Sequence, residues 1–154
     1  MPSSASPDPQ EAQAIAERVR EQMFERDRAS RGLGMEVTAI GPGSATVTMT
    51  VRVDMLNGLD TCHGGLITTL ADSAFAFACN AYGEPTVASG FSMDIVAPAR
   101  EGDLLTAVAV ERSLTGSLGV YDVTVSKADG STVALFRGNS YRLRKREPGA
   151  GATR

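Results

Sequence analysis

The chain has 154 residues, enough for one domain with a sizeable core. Apolar residues make up 42% and charged residues 21%, an ordinary globular balance that excludes wholesale disorder. The net charge of −3 argues against a general nucleic-acid binder, which needs a basic face to release counterions from phosphates.

Residues 1–7 (MPSSASP) are small and polar and are expected to be disordered. The N-terminal stretch MPSSASPDPQEAQ has neither the basic nor the apolar region of a secretory signal. Asp8-Pro9-Gln10-Glu11 reads as a helix start, with an N-cap carboxylate, proline at the first helical position and an acid at the third. This helix is expected over 8–31, with Ile15, Val19 and Met23 as a narrow apolar stripe and Gly32 and Gly34 as the stop. From Met35 the period changes to two. Met35–Ile40 and Thr46–Val53 are predicted strands around a Gly41-Pro42-Gly43 turn. A loop opens at Asn57-Gly58 and closes at Gly64-Gly65, and a helix follows over Leu66–Asn80. Strand patterns then cover Thr86–Val96, Leu104–Arg112, Gly119–Lys127 and Thr132–Leu143, the last pair flanking the hairpin signal Asp129-Gly130. The tail, 144–154, is basic and then Gly/Ala-rich, and is expected to be flexible. Few helices beside contiguous strands mean α+β with a mostly antiparallel sheet, as one domain over 8–143. No window approaches the ~18 consecutive apolar residues of a membrane span. Cys62 and Cys79 allow at most one bridge, and without an export signal they are expected as reduced thiols in a cytoplasm.

The chemistry concentrates in GGLITTLADSAFAFACNAYG, Gly64–Gly83. Asp72 is the one ionisable carboxylate in this stretch, which has no Lys, Arg or Glu. A helix without a charged face should be buried over most of its circumference. At 100° per residue Asp72 points away from the stripe of Leu66, Leu70 and Ala74, on the side of Gly65, Thr68, Phe75, Ala76 and Cys79. It lies too far inside the helix to cap it, and an unpaired charge there is costly unless its pKa rises. Cys62-His63-Gly64-Gly65 leads into the first turn, where unpaired amides and the helix dipole suit a carbonyl oxygen becoming an oxyanion. His63 is the only histidine, so no metal site is expected. Gly64 and Asp72 lie about 12 Å apart along one helix axis at 1.5 Å per residue, too far to serve one reacting atom. Two antiparallel copies of the helix would bring them together. Shared chemistry therefore implies an obligate dimer with two composite sites.

Met55-Leu56-Asn57-Gly58, Cys62-His63-Gly64-Gly65, Leu70-Ala71-Asp72-Ser73-Ala74 and Ala134-Leu135-Phe136-Arg137-Gly138 resemble, in order and spacing, the PaaI-type hotdog-fold acyl-CoA thioesterases of phenylacetate degradation. The similarity runs from about Gly34 to Leu143, and its most specific element is Asn-x5-His-Gly-Gly-x6-Asp. It implies a long central helix wrapped by a curved antiparallel sheet, with the N-terminal helix as an addition. It also implies homodimers with a continuous sheet, often paired into homotetramers. The catalytic carboxylate falls on Asp72 and the carbonyl-polarising amide on Gly64 of the other subunit. The loop asparagine and histidine fall on Asn57 and His63, and a serine on the strand after the helix falls on Ser89. The implied substrate is an aryl-acetyl-CoA or related acyl-CoA, with coenzyme A as part of the substrate and no separate cofactor. Arg137, Gly138, Arg100 and Arg142 are candidates to meet the coenzyme A moiety, and Phe75 and Met93 to line an acyl pocket. The competing readings are a hotdog enoyl-thioester hydratase or dehydratase and a non-catalytic acyl-CoA-binding module.

Overall fold

The computed structural model describes residues 7–143. Helix α1 (Pro9–Arg26) starts with proline at its first position, and Asp8 stands at the N-cap without a side-chain capping bond. The helical segment is two helices, not one. It breaks at Asp27, whose carboxylate turns back to accept from the Ser30 amide at 2.9 Å and so starts α2 (Arg28–Gly32). Antiparallel strands β1 (Glu36–Gly41) and β2 (Ser44–Thr50) follow, then a 3-10 turn (Val53–Met55) where the strand pattern had been expected to continue. The central helix α3 (Gly64–Asn80) leads to β3 (Thr86–Ile95), β4 (Leu104–Thr115), β5 (Leu118–Ser126) and β6 (Thr132–Arg142).

All six strands form one antiparallel sheet in the order β1-β2-β4-β5-β6-β3. The Asp129-Gly130 turn joins β5 to β6 as expected, with Gly130 at φ 85°, which its missing Cβ permits. The sheet curls around α3. Ile67, Leu70, Ala71, Ala74, Phe77 and Ala78 are fully buried against an inner face that includes Val47, Met49, Leu105, Ala107 and Ala109. The alanines on both sides let helix and sheet approach closely. Each large buried side chain contributes roughly 1.5–3 kcal/mol by leaving water.

The back of α3 is covered by the N-terminal helices. Phe24 meets Phe77 with ring centroids 6.4 Å apart, and the Ser30 hydroxyl lies 2.9 Å from that of Ser73. The two sheet edges differ. On β1, Gln13 of α1 donates to the Ile40 carbonyl at 2.7 Å and Arg20 to the Val37 carbonyl at 3.4 Å. On β3, among the described residues, no side chain caps the outer backbone between Val87 and Ile95. Val87, Phe91 and Ile95 stand 45%, 50% and 48% exposed on that edge. A long apolar edge left open in this way is a template for another strand. No described helix is long and apolar enough to cross a membrane.

Candidate active site

The start of α3 is built to leave one amide free. Asn57 shapes the loop before it: its oxygen accepts from the Leu59 and Thr61 amides at 2.9 and 3.2 Å, and its nitrogen donates to the Thr61 hydroxyl at 3.0 Å. The Cys62 amide then donates to the Ala99 carbonyl at 2.7 Å and the His63 amide to the Met55 carbonyl at 2.8 Å. His63 is the N-cap, its Nδ1 accepting from the Gly65 amide at 3.0 Å. Its carbonyl accepts from Leu66 and Ile67 at 2.9 and 3.3 Å. Of the first-turn amides, only that of Gly64 has no partner among the described residues. It borders a cleft of about 350 Å³ whose other walls include Asn57, Thr61, Ile95, Val96 and Pro98. The approach is close: a Cβ at position 64 would lie 2.8 Å from the Ile95 Cδ1, the far end of a half-exposed side chain.

Asp72 lies at the middle of α3, half-buried, and its carboxylate has no hydrogen-bond partner among the described residues. Burial lifts its carboxyl above the ordinary value. Thr68 and Thr69 beside it turn their hydroxyls back into the helix, to the Gly64 and Gly65 carbonyls at 2.8 and 2.8 Å, and so present methyl groups. The flank formed by Gly65, Thr68, Thr69, Asp72 and Ala76 therefore offers a single polar group, and it faces outward rather than into the sheet. Phe75 and Cys79, expected on this side, are core residues instead. Phe75 meets Tyr121 and Phe136 with centroids 5.5 and 5.7 Å away. Burial pushes the Cys79 thiol up to about 12, which removes it as a nucleophile at neutral pH.

Helix α3 runs antiparallel to β3. Gly64 lies against Ile95 at one end. At the other, Asn80 exchanges two hydrogen bonds of 3.0 Å with the backbone of Thr86. Asp72, midway between them, stands at the level of Phe91, which is half-exposed and stacks on Phe136 at 5.0 Å. Phe91 was not singled out from the sequence, although an aromatic at an alternating position in the strand after the helix was the available signal. Met93 is half-buried on the same inner face.

The remaining candidates are scattered. Ser89 is the extra residue of a bulge in β3, exposed, with its hydroxyl donating to the Asn139 carbonyl at 3.2 Å. Arg100 is exposed two residues beyond the cleft wall at Pro98, and its amide donates to Asp103 at 2.8 Å. Arg137 is on the opposite face of the sheet from α3, forked onto Asp122 at 2.6 and 2.9 Å, and Arg112 shares that carboxylate at 2.9 Å. Arg142 stacks over the Tyr82 ring, 4.8 Å from its centre. Gly138 is buried on the inner face, where a Cβ would lie 2.9 Å from both Phe75 and Phe136, so it is a packing position. Gly138→Ala is expected to lower stability by ~1–3 kcal/mol through overpacking, read from the urea midpoint at unchanged m value.

Residues 59–134 match the family model described as Thioesterase superfamily. The chain is 46% identical over 121 residues to the acyl-coenzyme A thioesterase PaaI of Escherichia coli (strain K12), across 79% of this chain and 86% of that protein. The chain belongs to the thioesterase superfamily. The solved structure of the Escherichia coli PaaI protein, from the phenylacetic acid degradation operon, superposes with a TM-score of 0.85 at 42% identity, covering 86% of this chain and 96% of that one. A Streptococcus mutans protein solved bound to acetyl-CoA matches with a TM-score of 0.69 at 25% identity, covering 73% and 91%. The fold of this thioesterase is the hotdog fold, an antiparallel sheet wrapped on one central helix, with α1 and α2 added before it.

Proposed function

We propose that the protein hydrolyses acyl-CoA thioesters, of the aryl-acetyl or a related class, in composite sites between two subunits. One observation carries the reading: the uncommitted first-turn amide of Gly64 and the unpartnered carboxylate of Asp72, the one acid of α3, lie on one helix, too far apart to serve one bond. With two α3 helices antiparallel, Gly64 of one chain comes level with Asp72 of the other when the twofold axis passes beside Thr68. The methyl-faced flank suits that contact, and the open edge of β3 offers its strand to the partner's β3.

The thioester carbonyl then accepts from the partner's Gly64 amide, with the positive end of the helix dipole behind it. Asp72 acts as general base on water or as nucleophile through a mixed anhydride. In either course the carbonyl carbon gains an oxygen, its C–S bond breaks, and the coenzyme A thiolate leaves and is protonated; on the nucleophilic course water then cleaves the anhydride, releasing the acid and restoring the Asp72 carboxylate. Asn57 and His63 hold the loop that aims the amide. Phe91 offers a ring face to the acyl group, and Arg100, two residues beyond the cleft wall at Pro98, is a cation available to the phosphates of coenzyme A. The relatives' thioesterase activity and the phenylacetic acid operon support the substrate class. Two free, buried thiols suit a reducing cytoplasm.

A panel of acyl-CoAs followed by release of free thiol tests the reading. Hydrolysis is expected, with aryl-acetyl groups among the best substrates by kcat/KM. Addition of water to an enoyl-CoA without thiol release would make the protein a hydratase. Tight binding without turnover would make it a binding module.

A further inference from the structure

We propose that Ser73, tied through Ser30 to Asp27, is a positioning residue for the reaction: it fixes the rotation of α3 about its own axis and so aims the Asp72 carboxylate. The inference rests on the reading of Asp72 as base or nucleophile. It makes the short helix α2 part of the catalytic apparatus, although none of its residues reaches the cleft.

The bonds run in one direction. The Ser30 hydroxyl is 2.6 Å from Asp27 Oδ2 and 2.9 Å from the Ser73 hydroxyl. Ser30 has one hydroxyl proton, and the carboxylate can only accept it, so Ser73 must be the donor in the second contact. Ser30 is 1% exposed, which shields both bonds from water. Asp27 is itself held in place, because its other oxygen accepts from the Ser30 amide at 2.9 Å. Ser73 thus ends a chain anchored on a different helix, one residue from Asp72.

Nothing else in the middle of α3 is tied in this way. Thr68, Thr69 and Cys79 bond to carbonyls of α3 itself. Between Gly64 and Asn80, Ser73 is the one side chain that hydrogen-bonds to another element, among the described residues. The buried surface of the helix is rich in alanine (Ala71, Ala74 and Ala78), and burial of apolar surface has no direction. Phe77, one turn beyond Ser73 on the same stripe, meets Phe24 through a tilted ring contact that can slide. A side chain reaches roughly 5–6 Å from its helix axis, so a turn of about 10° carries the Asp72 carboxylate about 1 Å, a displacement that can cost about a hundredfold in rate. The Gly64 amide lies nearer the axis and is held by the loop bonds of Cys62 and His63, so the same turn moves it less.

Ser73→Ala removes the tie to α3 and leaves the Asp27 cap on Ser30 intact; Ser73 is half-buried, so the truncation opens no large cavity. Ser30→Ala breaks the same tie from the other side. Each is measured alone, together and in an Asp72→Asn background, by thiol release from phenylacetyl-CoA, with circular dichroism as the measure of folding. Each single variant is expected to lower kcat on the order of tenfold with KM within about twofold, and the pair is expected to lose no more than either alone. In Asp72→Asn the residual rate should not fall further, because no carboxylate remains to be aimed. Wild-type kcat in folded Ser73→Ala, or the same loss in both backgrounds, would overturn the inference and leave the role of Asp72 standing. Full turnover by Asp72→Asn would overturn that role and the inference with it.

Discussion

Asp72→Asn is expected to abolish most turnover and at the same time to stabilise the protein. As base or nucleophile, the carboxylate contributes about 10²–10⁴-fold to kcat, and the amide can supply neither role. Stability moves the other way. Asp72 is half-buried, has no partner, and is held above its ordinary pKa by desolvation. The folded state therefore binds the proton more tightly than the unfolded state does. Wild-type stability falls as pH rises from the unfolded carboxylate value through the raised one. The asparagine variant has no such loss. Its advantage should be absent at acid pH below both values, open as pH rises through that window, and hold at neutrality. Because Asp72 is only half-buried, solvent screening limits the gain to at most about 1 kcal/mol, or about 2–4 °C in Tm for a chain of this size. Thermal melts of both proteins across the acid range, beside initial rates of thiol release, check both halves. A variant that turns over normally would remove Asp72 from the mechanism. One that is inactive but less stable would mean that the carboxylate has a structural partner.

Mixing two inactive variants should restore activity. In Gly64→Val the added carbons meet the Ile95 Cδ1, which lies 2.8 Å from an ideal Cβ and can swing outward because Ile95 is 48% exposed. The fold survives while the amide is screened, at an expected loss of about 10²–10³-fold. Asp72→Asn is inactive for its own reason. A composite site takes its carboxylate from one chain and its amide from the partner. When the two variants assemble at random, about one site in four draws both intact groups. Co-expression at equal levels should therefore recover about a quarter of the wild-type rate per chain. Two groups acting within one chain would give no recovery, since every chain would then lack one of them.

The central helix and its lone acid were legible because charge is so scarce there that one carboxylate is conspicuous without coordinates. The glycine pair before it and the Asp129-Gly130 hairpin are local signals, and they hold. What the sequence hid depends on contacts between distant segments. The break at Asp27 carries no proline or glycine; it is made by the Asp27 cap on Ser30, with the Ser30 hydroxyl in turn reaching Ser73 on α3. Phe75 and Cys79 lie toward the Asp72 side on a helical wheel, yet the sheet curls far enough to cover them. Arg137 and Gly138 are neighbours in the motif that suggested the family, but they point to opposite faces of β6. Only the register with β5 puts Arg137 beside Asp122 and leaves Gly138 under Phe75. A one-residue slip would exchange those environments.

The stoppered edge of β1 bears on solubility. Were both margins of the sheet open, each pairing would expose a fresh margin and ribbons could lengthen without limit, the route by which native proteins become fibrils. Gln13 and Arg20 occupy carbonyls that a newcomer would need. Trimming α1 should therefore turn a self-limiting particle into one that polymerises on storage, even where turnover is untouched.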